Sequence, residues 1–161
     1  MGGGILLGGL RRGPAAGGAS DRVCSREGGA LNPLARLTRA FLGGAAGNGR
    51  QYLSWIHIDD LCRAFFWAAK TPSAAGPYNA VSPEPEMNAA FMGELRRALG
   101  RPWNPPAPAW AVRLAARHLM RVEPDLILGG CRCIPLRLQV SGFCFRHANL
   151  RVALGELLAQ P

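Results

Sequence analysis

The stretch GNGRQYLSWIHIDDL, at residues 47–61, constrains the fold more than any other part of this sequence. Its glycines and asparagine predict a turn, and the aromatic and β-branched residues at 52–58 predict a strand. Asp59 and Asp60 follow at once, where negative charge is favourable in the first turn of a helix. Two further segments have strand-like composition, GPYNAVSP at 76–83 and GFCFRHANL at 142–150. Strand and helix signals that alternate in this way are typical of α/β and α+β domains.

A helix is predicted before this stretch, beginning at residue 32. Asn32 is a suitable N-cap, and Pro33 suits the first helical position. The pair of glycines at 43–44 predicts the end of this helix. Its predicted apolar face consists of Leu34, Leu37 and Phe41.

Four more helices are predicted later in the chain. The run LCRAFFWAAK at 61–70 would be capped by one of the two preceding aspartates, while the other would face solvent or an arginine. Asn88 and Asn149 would cap two further helices, and an apolar run predicts another at 109–119. The residues predicted to be buried on these helices are Leu61, Phe65, Ala68 or Ala69, Phe91, Leu95, Leu99, Val152, Leu154, Leu157 and Leu158.

Residues 1–22 have a different composition from the rest of the chain. They are mostly glycine and alanine, which cannot bury enough apolar surface to offset the entropy of ordering, so we expect a disordered tail. Their glycines do not form a dinucleotide-binding turn, because that motif needs a strand before it and a helix after it. Residues 23–161 are expected to form the folded part.

The net charge of +9 raises the alternative of a nucleic-acid-binding domain. Lys70 is the only lysine among the 19 basic residues, and the arginines are scattered along the chain. A nucleic-acid-binding protein usually clusters its basic residues on one face. The pattern therefore favours a solvated basic surface, and a nucleic-acid partner is not expected.

The cysteines and the hydropathy indicate a cytoplasmic protein. Five cysteines at irregular spacings do not form a disulfide framework, which is typical of a reducing compartment. No apolar run approaches the ~20 residues that a membrane helix needs, so no membrane association is expected. One zinc-like ligand set is present, Cys131, Cys133, Cys144 and His147. A C-x-C pair is a weaker signal than C-x-x-C, and no metal site is predicted.

Four segments occur together in the order of a known family: REGGAL, GNGRQYLSWIHIDDL, GPYNAVSPEPEMNAAFMGELRRALGRP and CIPLRLQVSGFCFRHANLRVAL. They resemble the C-terminal half of the epimerase-like branch of the extended short-chain dehydrogenases. Members of this branch are described as NAD(P)-dependent oxidoreductases or epimerases, and some bacterial members carry the label of cell-division inhibitor. The resemblance implies an α/β class, with a partial Rossmann-type fold of several helices and short strands over residues 23–161.

The resemblance also implies a nicotinamide cofactor, NADP or NAD, and a small-molecule substrate. The chemistry of the family needs a tyrosine with a lysine four residues later, which stabilises the phenolate. Tyr52 and Tyr78 are the tyrosines of this chain, and neither has Lys70 at that spacing. The chain is thus expected to be truncated relative to the family, without the glycine-rich turn or catalytic residues. We expect no cofactor to bind this chain alone.

The remaining part resembles the substrate-binding side of the family. Leu53 occupies the position where nucleotide-sugar epimerases have an arginine that binds the diphosphate, so a nucleotide-sugar substrate is not implied. The residues predicted to bind substrate are Arg50, Gln51, Trp55 and His57. The alternatives are that Trp55 belongs to the core, that Arg50 only forms the turn, and that His57 is a hydrogen-bonded packing residue.

The function predicted is the substrate-side part of an NAD(P)-dependent oxidoreductase or epimerase, inactive as this chain alone. The alternative from another class is a non-catalytic interaction module derived from that enzyme and linked to cell division. Apolar faces such as that of the helix at 61–70 would lack a sheet to cover, and large exposed apolar patches drive association. We therefore expect self-association.

Overall fold

The computed structural model describes residues 23–25, 29, 31–115 and 130–159, and the predicted tail at 1–22 lies outside the described residues. The elements follow one another in the order β1 (Val23–Cys24), α1 (Leu31–Arg39), β2 (Tyr52–Leu53), β3 (Ile56–His57), α2 (Ile58–Lys70), β4 (Glu86–Met87), α3 (Asn88–Ala98), α4 (Ala109–Ala115), α5 (Leu136–Val140) and α6 (Leu150–Ala159). Short strands thus alternate with longer helices, as the α/β prediction required. None of the helices in this part of the chain combines the length and the apolar character needed to cross a membrane.

The strand predicted at 52–58 is two strands that pair with different partners. β3 runs parallel to β1, whereas β2 runs antiparallel to β4. Ser54 lies between β2 and β3, and its hydroxyl donates a hydrogen bond to the carbonyl of Cys131 at 2.7 Å and accepts one from the amide of Cys133 at 2.9 Å. The prediction of one continuous strand is therefore wrong, because these bonds join the segment to a distant loop.

The two other predicted strands are also wrong within the described residues, where 76–83 and 142–149 contain no strand. Their backbone groups form other hydrogen bonds. The amide of Ser82 donates to the carbonyl of Trp55 at 2.6 Å. The amides of Arg146 and His147 donate to a side-chain carboxylate on α2.

The first helix ends earlier than the glycine pair predicted. Phe41 follows α1 with a φ of 59°, and the amide of Leu42 donates to the carbonyl of Leu37 at 2.8 Å. This is the Schellman arrangement, with a phenylalanine where glycine is common. The buried residues of α1 are Leu31, Ala35 and Thr38. Of the predicted apolar face, Leu34 is partly buried against the core and Leu37 is half-buried, whereas Phe41 is exposed.

The N-terminal caps of α2 and α3 differ from their predictions. His57, not an aspartate, caps α2, because its Nδ1 accepts a hydrogen bond from the amide of Asp59 at 3.1 Å. Asn88 does not cap α3 either. Its Oδ1 accepts a hydrogen bond from the amide of Ala46 at 2.7 Å, and Met87 precedes the helix without a side-chain cap.

The C-terminal helix confirms its predicted cap. Oδ1 of Asn149 accepts a hydrogen bond from the amide of Val152 at 3.3 Å. Leu154 and Leu157 are buried as predicted, but Val152 is exposed. The predicted helix at 109–119 is confirmed through Ala115, beyond which the chain lies outside the described residues.

Two hydrophobic clusters form the core of the described part. The first joins α1, α3 and α6, and its buried members are Cys24, Leu31, Trp55, Phe91, Met92, Leu95, Leu150, Ala153, Leu154 and Leu157. The second includes one face of α2, and its buried members are Ala64, Ala74, Tyr78, Leu138 and Phe143. Leu61 is buried as predicted, whereas Phe65 is exposed because Ala64 faces the second cluster instead.

Candidate functional site

The stretch at 47–57 contains all four residues predicted to bind substrate, but their exposure to solvent differs: Arg50 is on the surface, Gln51 is half-buried, and Trp55 and His57 are buried. Arg50 is exposed, and its amide donates to Oδ1 of Asn48 at 3.0 Å. The adjacent Gln51 is half-buried and its Nε2 donates to the carbonyl of Ala46 at 2.9 Å. Arg50 therefore lies in a turn, while Gln51 ties that turn to the preceding loop.

Trp55 lies in the first hydrophobic cluster, where it is 2% exposed. Its indole Nε1 donates a hydrogen bond to the carbonyl of Glu84 at 2.9 Å. A buried tryptophan whose N–H has a partner is a stable core arrangement. The geometry favours the core alternative for this residue.

His57 belongs to a cluster of polar side chains at the start of α2. Its ring stacks on the ring of His147, with centroids 3.9 Å apart and planes 18° apart. Nδ1 of His147 lies 3.0 Å from a carboxylate oxygen of Glu156, and its Nε2 lies 3.4 Å from one of Asp59. Nε2 of His57 is buried and has no hydrogen-bond partner. Burial, followed by the charge of His147, lowers the pKa of His57.

His57, His147 and Glu156 offer ligand atoms within 4.8 Å of one another, which is the arrangement in the described residues that comes nearest to a metal site. The stacking of the two rings does not suit a shared ion. Lone pairs of imidazole lie in the ring plane, and nearly parallel planes direct them side by side rather than to one point. This group shares only His147 with the zinc-like set in the sequence and contains none of the three cysteines of that set.

None of the five cysteines, all of which lie in the described residues, forms a disulfide. Sγ of Cys131 and Sγ of Cys133 lie 3.1 Å apart near the surface, and Cys144 is exposed elsewhere. Cys24 is buried, and burial raises the pKa of its thiol to about 12. A thiol in that state is a poor nucleophile, since the thiolate is the reactive form.

Asp60 is a buried carboxylate that sequence reasoning did not identify as structurally important. It is 1% exposed. Its Oδ1 accepts from the amide of Arg146 at 2.9 Å and from the guanidinium of Arg63 at 2.8 Å, and its Oδ2 accepts from the amide of His147 at 2.8 Å. The carboxylate thus holds the segment before α6 against α2. The expectation that one aspartate faces an arginine is confirmed.

A cavity of about 440 Å³ lies beside the loop that Gln51 contacts. Its lining comes from α1, the following loop, α3, the proline-rich connector and α4, and consists of Leu34, Leu37, Leu42, Gly43, Gly44, Ala46, Asn88, Met92, Pro105, Pro106, Ala107, Pro108 and Val112. The apolar residues Leu34 and Leu37, predicted as a core-facing helix stripe, therefore line this cavity. The sequence did not predict the cavity, although the apolar residues Leu34 and Leu37 at helical spacing are the pattern that indicates its wall.

Comparison with known sequences adds the family context. A family described as "Domain of unknown function (DUF1731)" matches residues 107–157. An epimerase family protein of Staphylococcus aureus is 36% identical over 138 residues, which cover 86% of this chain and 45% of the relative. One from Staphylococcus epidermidis is 37% identical over 136 residues, covering 84% and 44%. The chain thus spans about half the length of the curated relatives it matches.

Comparison with solved structures agrees. The human epimerase family protein SDR39U1 (isoform 2), crystallised with NADPH, superposes with a TM-score of 0.79 at 30% identity, covering 88% of this chain and 47% of that chain. A nucleoside-diphosphate sugar epimerase from Corynebacterium glutamicum superposes with a TM-score of 0.62 at 28% identity, covering 86% and 25%. The motif resemblance and the Rossmann-type α/β prediction are confirmed. In sequence and in fold, this chain therefore matches the C-terminal half of epimerase family proteins of the extended short-chain dehydrogenase type.

Proposed function

We propose that this chain forms the substrate-side part of an NAD(P)-dependent oxidoreductase or epimerase that acts on a small molecule. The observation that carries the proposal is the superposition on the human relative crystallised with NADPH, which covers 88% of this chain but 47% of that chain. Hydride transfer would then depend on groups supplied by the nucleotide-binding half, because the Tyr-x-x-x-Lys pair is missing from this sequence.

The surface of the described part supports such a pairing of halves. Several large apolar side chains are exposed, among them Phe66 on α2 and Trp103 and Trp110 around the proline-rich connector. Exposed apolar and aromatic residues are typical of protein interfaces. A covering nucleotide-binding half would remove them from water, and without it the same residues would promote the self-association expected above.

The proposal is tested by mixing this chain with the separately expressed nucleotide-binding half of the Staphylococcus aureus relative. We expect an equimolar complex by light scattering, and NADPH binding by the complex in calorimetry. The chain alone should bind neither NADPH nor NADH. Micromolar NADPH binding by the chain alone, or failure of the folded chain to associate with that half, would contradict the proposal.

A further inference from the structure

We propose that the cavity between α1, α3 and α4 binds the apolar part of the substrate, an aliphatic chain or an uncharged ring. The inference rests on the proposed function, because it assigns a substrate class to the same half of the enzyme. Its volume of about 440 Å³ falls within the range of small-molecule sites, roughly 300–1,000 Å³.

The chemistry of the lining selects an apolar occupant. Leucine, methionine, valine and proline side chains supply most of the described lining, in which Asn88 is the one polar side chain. Oδ1 of Asn88 already accepts the hydrogen bond from Ala46. Among the described residues, no charged side chain belongs to the lining. A phosphate or diphosphate in this cavity would lose its hydration without gaining a counter-charge, which is strongly unfavourable.

The wall of the cavity is held in place before any ligand binds. Ala46 and Ala107 form a parallel bridge between the loop after α1 and the proline-rich connector. The amide of Ala107 donates to Ala45 and its carbonyl accepts from Gly47, both at 2.9 Å. At Gly44 the two segments approach so closely that a Cβ would overlap the carbonyl of Pro105. A preformed apolar site binds without the cost of ordering its own walls.

The cavity also adjoins the stretch that carries the predicted substrate-binding residues. Ala46 lines the cavity, and the side chain of Gln51 donates to its carbonyl. The carbonyl of Gln51 in turn accepts a hydrogen bond from the amide of Asn88 at 2.8 Å. The polar turn at 47–51 and the apolar cavity therefore share one wall, which suits a substrate with a polar end and an apolar end.

The test uses the neutral fluorescent probe N-phenyl-1-naphthylamine with the full chain. We expect saturable binding of one probe per chain, competition by 1-octanol and no competition by a nucleoside-diphosphate sugar. Two substitutions that fill the cavity, Leu37→Phe and Val112→Trp, should each abolish the saturable signal. Leu136→Trp is the matched control, because Leu136 is 58% exposed on α5 and does not line the cavity. It should bind the probe as the unsubstituted chain does.

Circular dichroism and thermal melting identify any filled variant that fails to fold, and Leu37→Phe is the milder change. The proposal is overturned if the unsubstituted chain shows no saturable binding, if a folded filled variant keeps it, or if the nucleoside-diphosphate sugar competes. These results are separable from the proposed function. Probe binding needs only this chain, whereas the complex with a nucleotide-binding half can form whether or not the cavity binds the probe.

Discussion

Replacing Asp60 with alanine should destabilise this chain more than any other change to its carboxylates in the described residues. The carboxylate accepts hydrogen bonds from the amides of Arg146 and His147 and from Arg63, and it is almost fully buried. Alanine would leave both amides without an acceptor. It would also free the segment before α6 from α2.

The magnitude follows from the three lost contacts. An unsatisfied buried donor costs about 1–3 kcal/mol, and removing one partner of a buried charged pair costs about 3–5 kcal/mol. Arg63 adds less than a fully buried partner would, because 28% of its side chain is exposed and water can solvate it. We expect Asp60→Ala to lower the free energy of unfolding by roughly 3–4 kcal/mol, a large fraction of the ~5–15 kcal/mol typical of a domain.

The neighbouring aspartate provides the control. Asp59 lies in the same helical turn, but its side chain is 44% exposed and pairs with Nε2 of His147 at 3.4 Å. Asp59→Ala removes the same charge near the helix N-terminus and should cost below about 1 kcal/mol. Urea denaturation followed by tryptophan fluorescence measures both variants. Hydrogen exchange at the amides of residues 146–147 should accelerate in Asp60→Ala alone.

An equal decrease in the free energy of unfolding for Asp60→Ala and Asp59→Ala would refute this explanation. The destabilisation would then come from the shared effect on the helix dipole, and the buried hydrogen bonds would contribute nothing measurable. Unchanged exchange at residues 146–147 in Asp60→Ala would refute it as well.

Three further predictions follow from the structure. Burial lowers the pKa of His57, so the folded state resists its protonation and the free energy of unfolding should fall as the pH drops below about 6.5. The variant His57→Asn can still cap α2 and should flatten this pH dependence. An unchanged slope in that variant would contradict the assignment to His57. Gly44→Ala should destabilise the chain by about 1–3 kcal/mol, because the new Cβ would overlap the facing backbone. Gly155→Ala should stabilise it by about 0.5–1 kcal/mol, because its Cβ would enter open space on a helix. A change of melting temperature in the same direction for both variants would refute the close approach at Gly44. In a full-length relative with an arginine at the position of Arg50, its replacement by alanine should weaken the binding of substrate or anions. The melting temperature should stay nearly unchanged, because Arg50 is exposed. A lower melting temperature with intact binding would assign the residue a structural role.

Signals between neighbours in sequence gave the more accurate predictions. The asparagine at 149 identified the start of the last helix. The leucines of α3 and α6 at helical spacing identified much of the first cluster. Each of these features depends on residues within about one helical turn of one another, so the local sequence contains the whole cause.

The candidate site depended on contacts that no local pattern contains. Within the described residues, Asp60 meets its amide partners 86 and 87 positions along the chain. Asn88 does not cap α3, because its Oδ1 accepts the hydrogen bond from the amide of Ala46, 42 positions earlier in the chain. The strand at 52–58 divided for the same reason.

The sequence by itself determined most of the helices, since these depend on the periodicity of apolar residues, and its resemblance to the family indicated the α/β class and showed that the Tyr-x-x-x-Lys pair is missing. Only the tertiary structure decided which face of α1 is buried. That helix carries apolar residues on two faces. Leu31 and Ala35 are buried in the core, whereas Leu37 lines the cavity and Leu34 both lines it and packs against the first cluster. Periodicity reports that a face is apolar, but the position of the proline-rich connector determines whether that face meets the core or an open space.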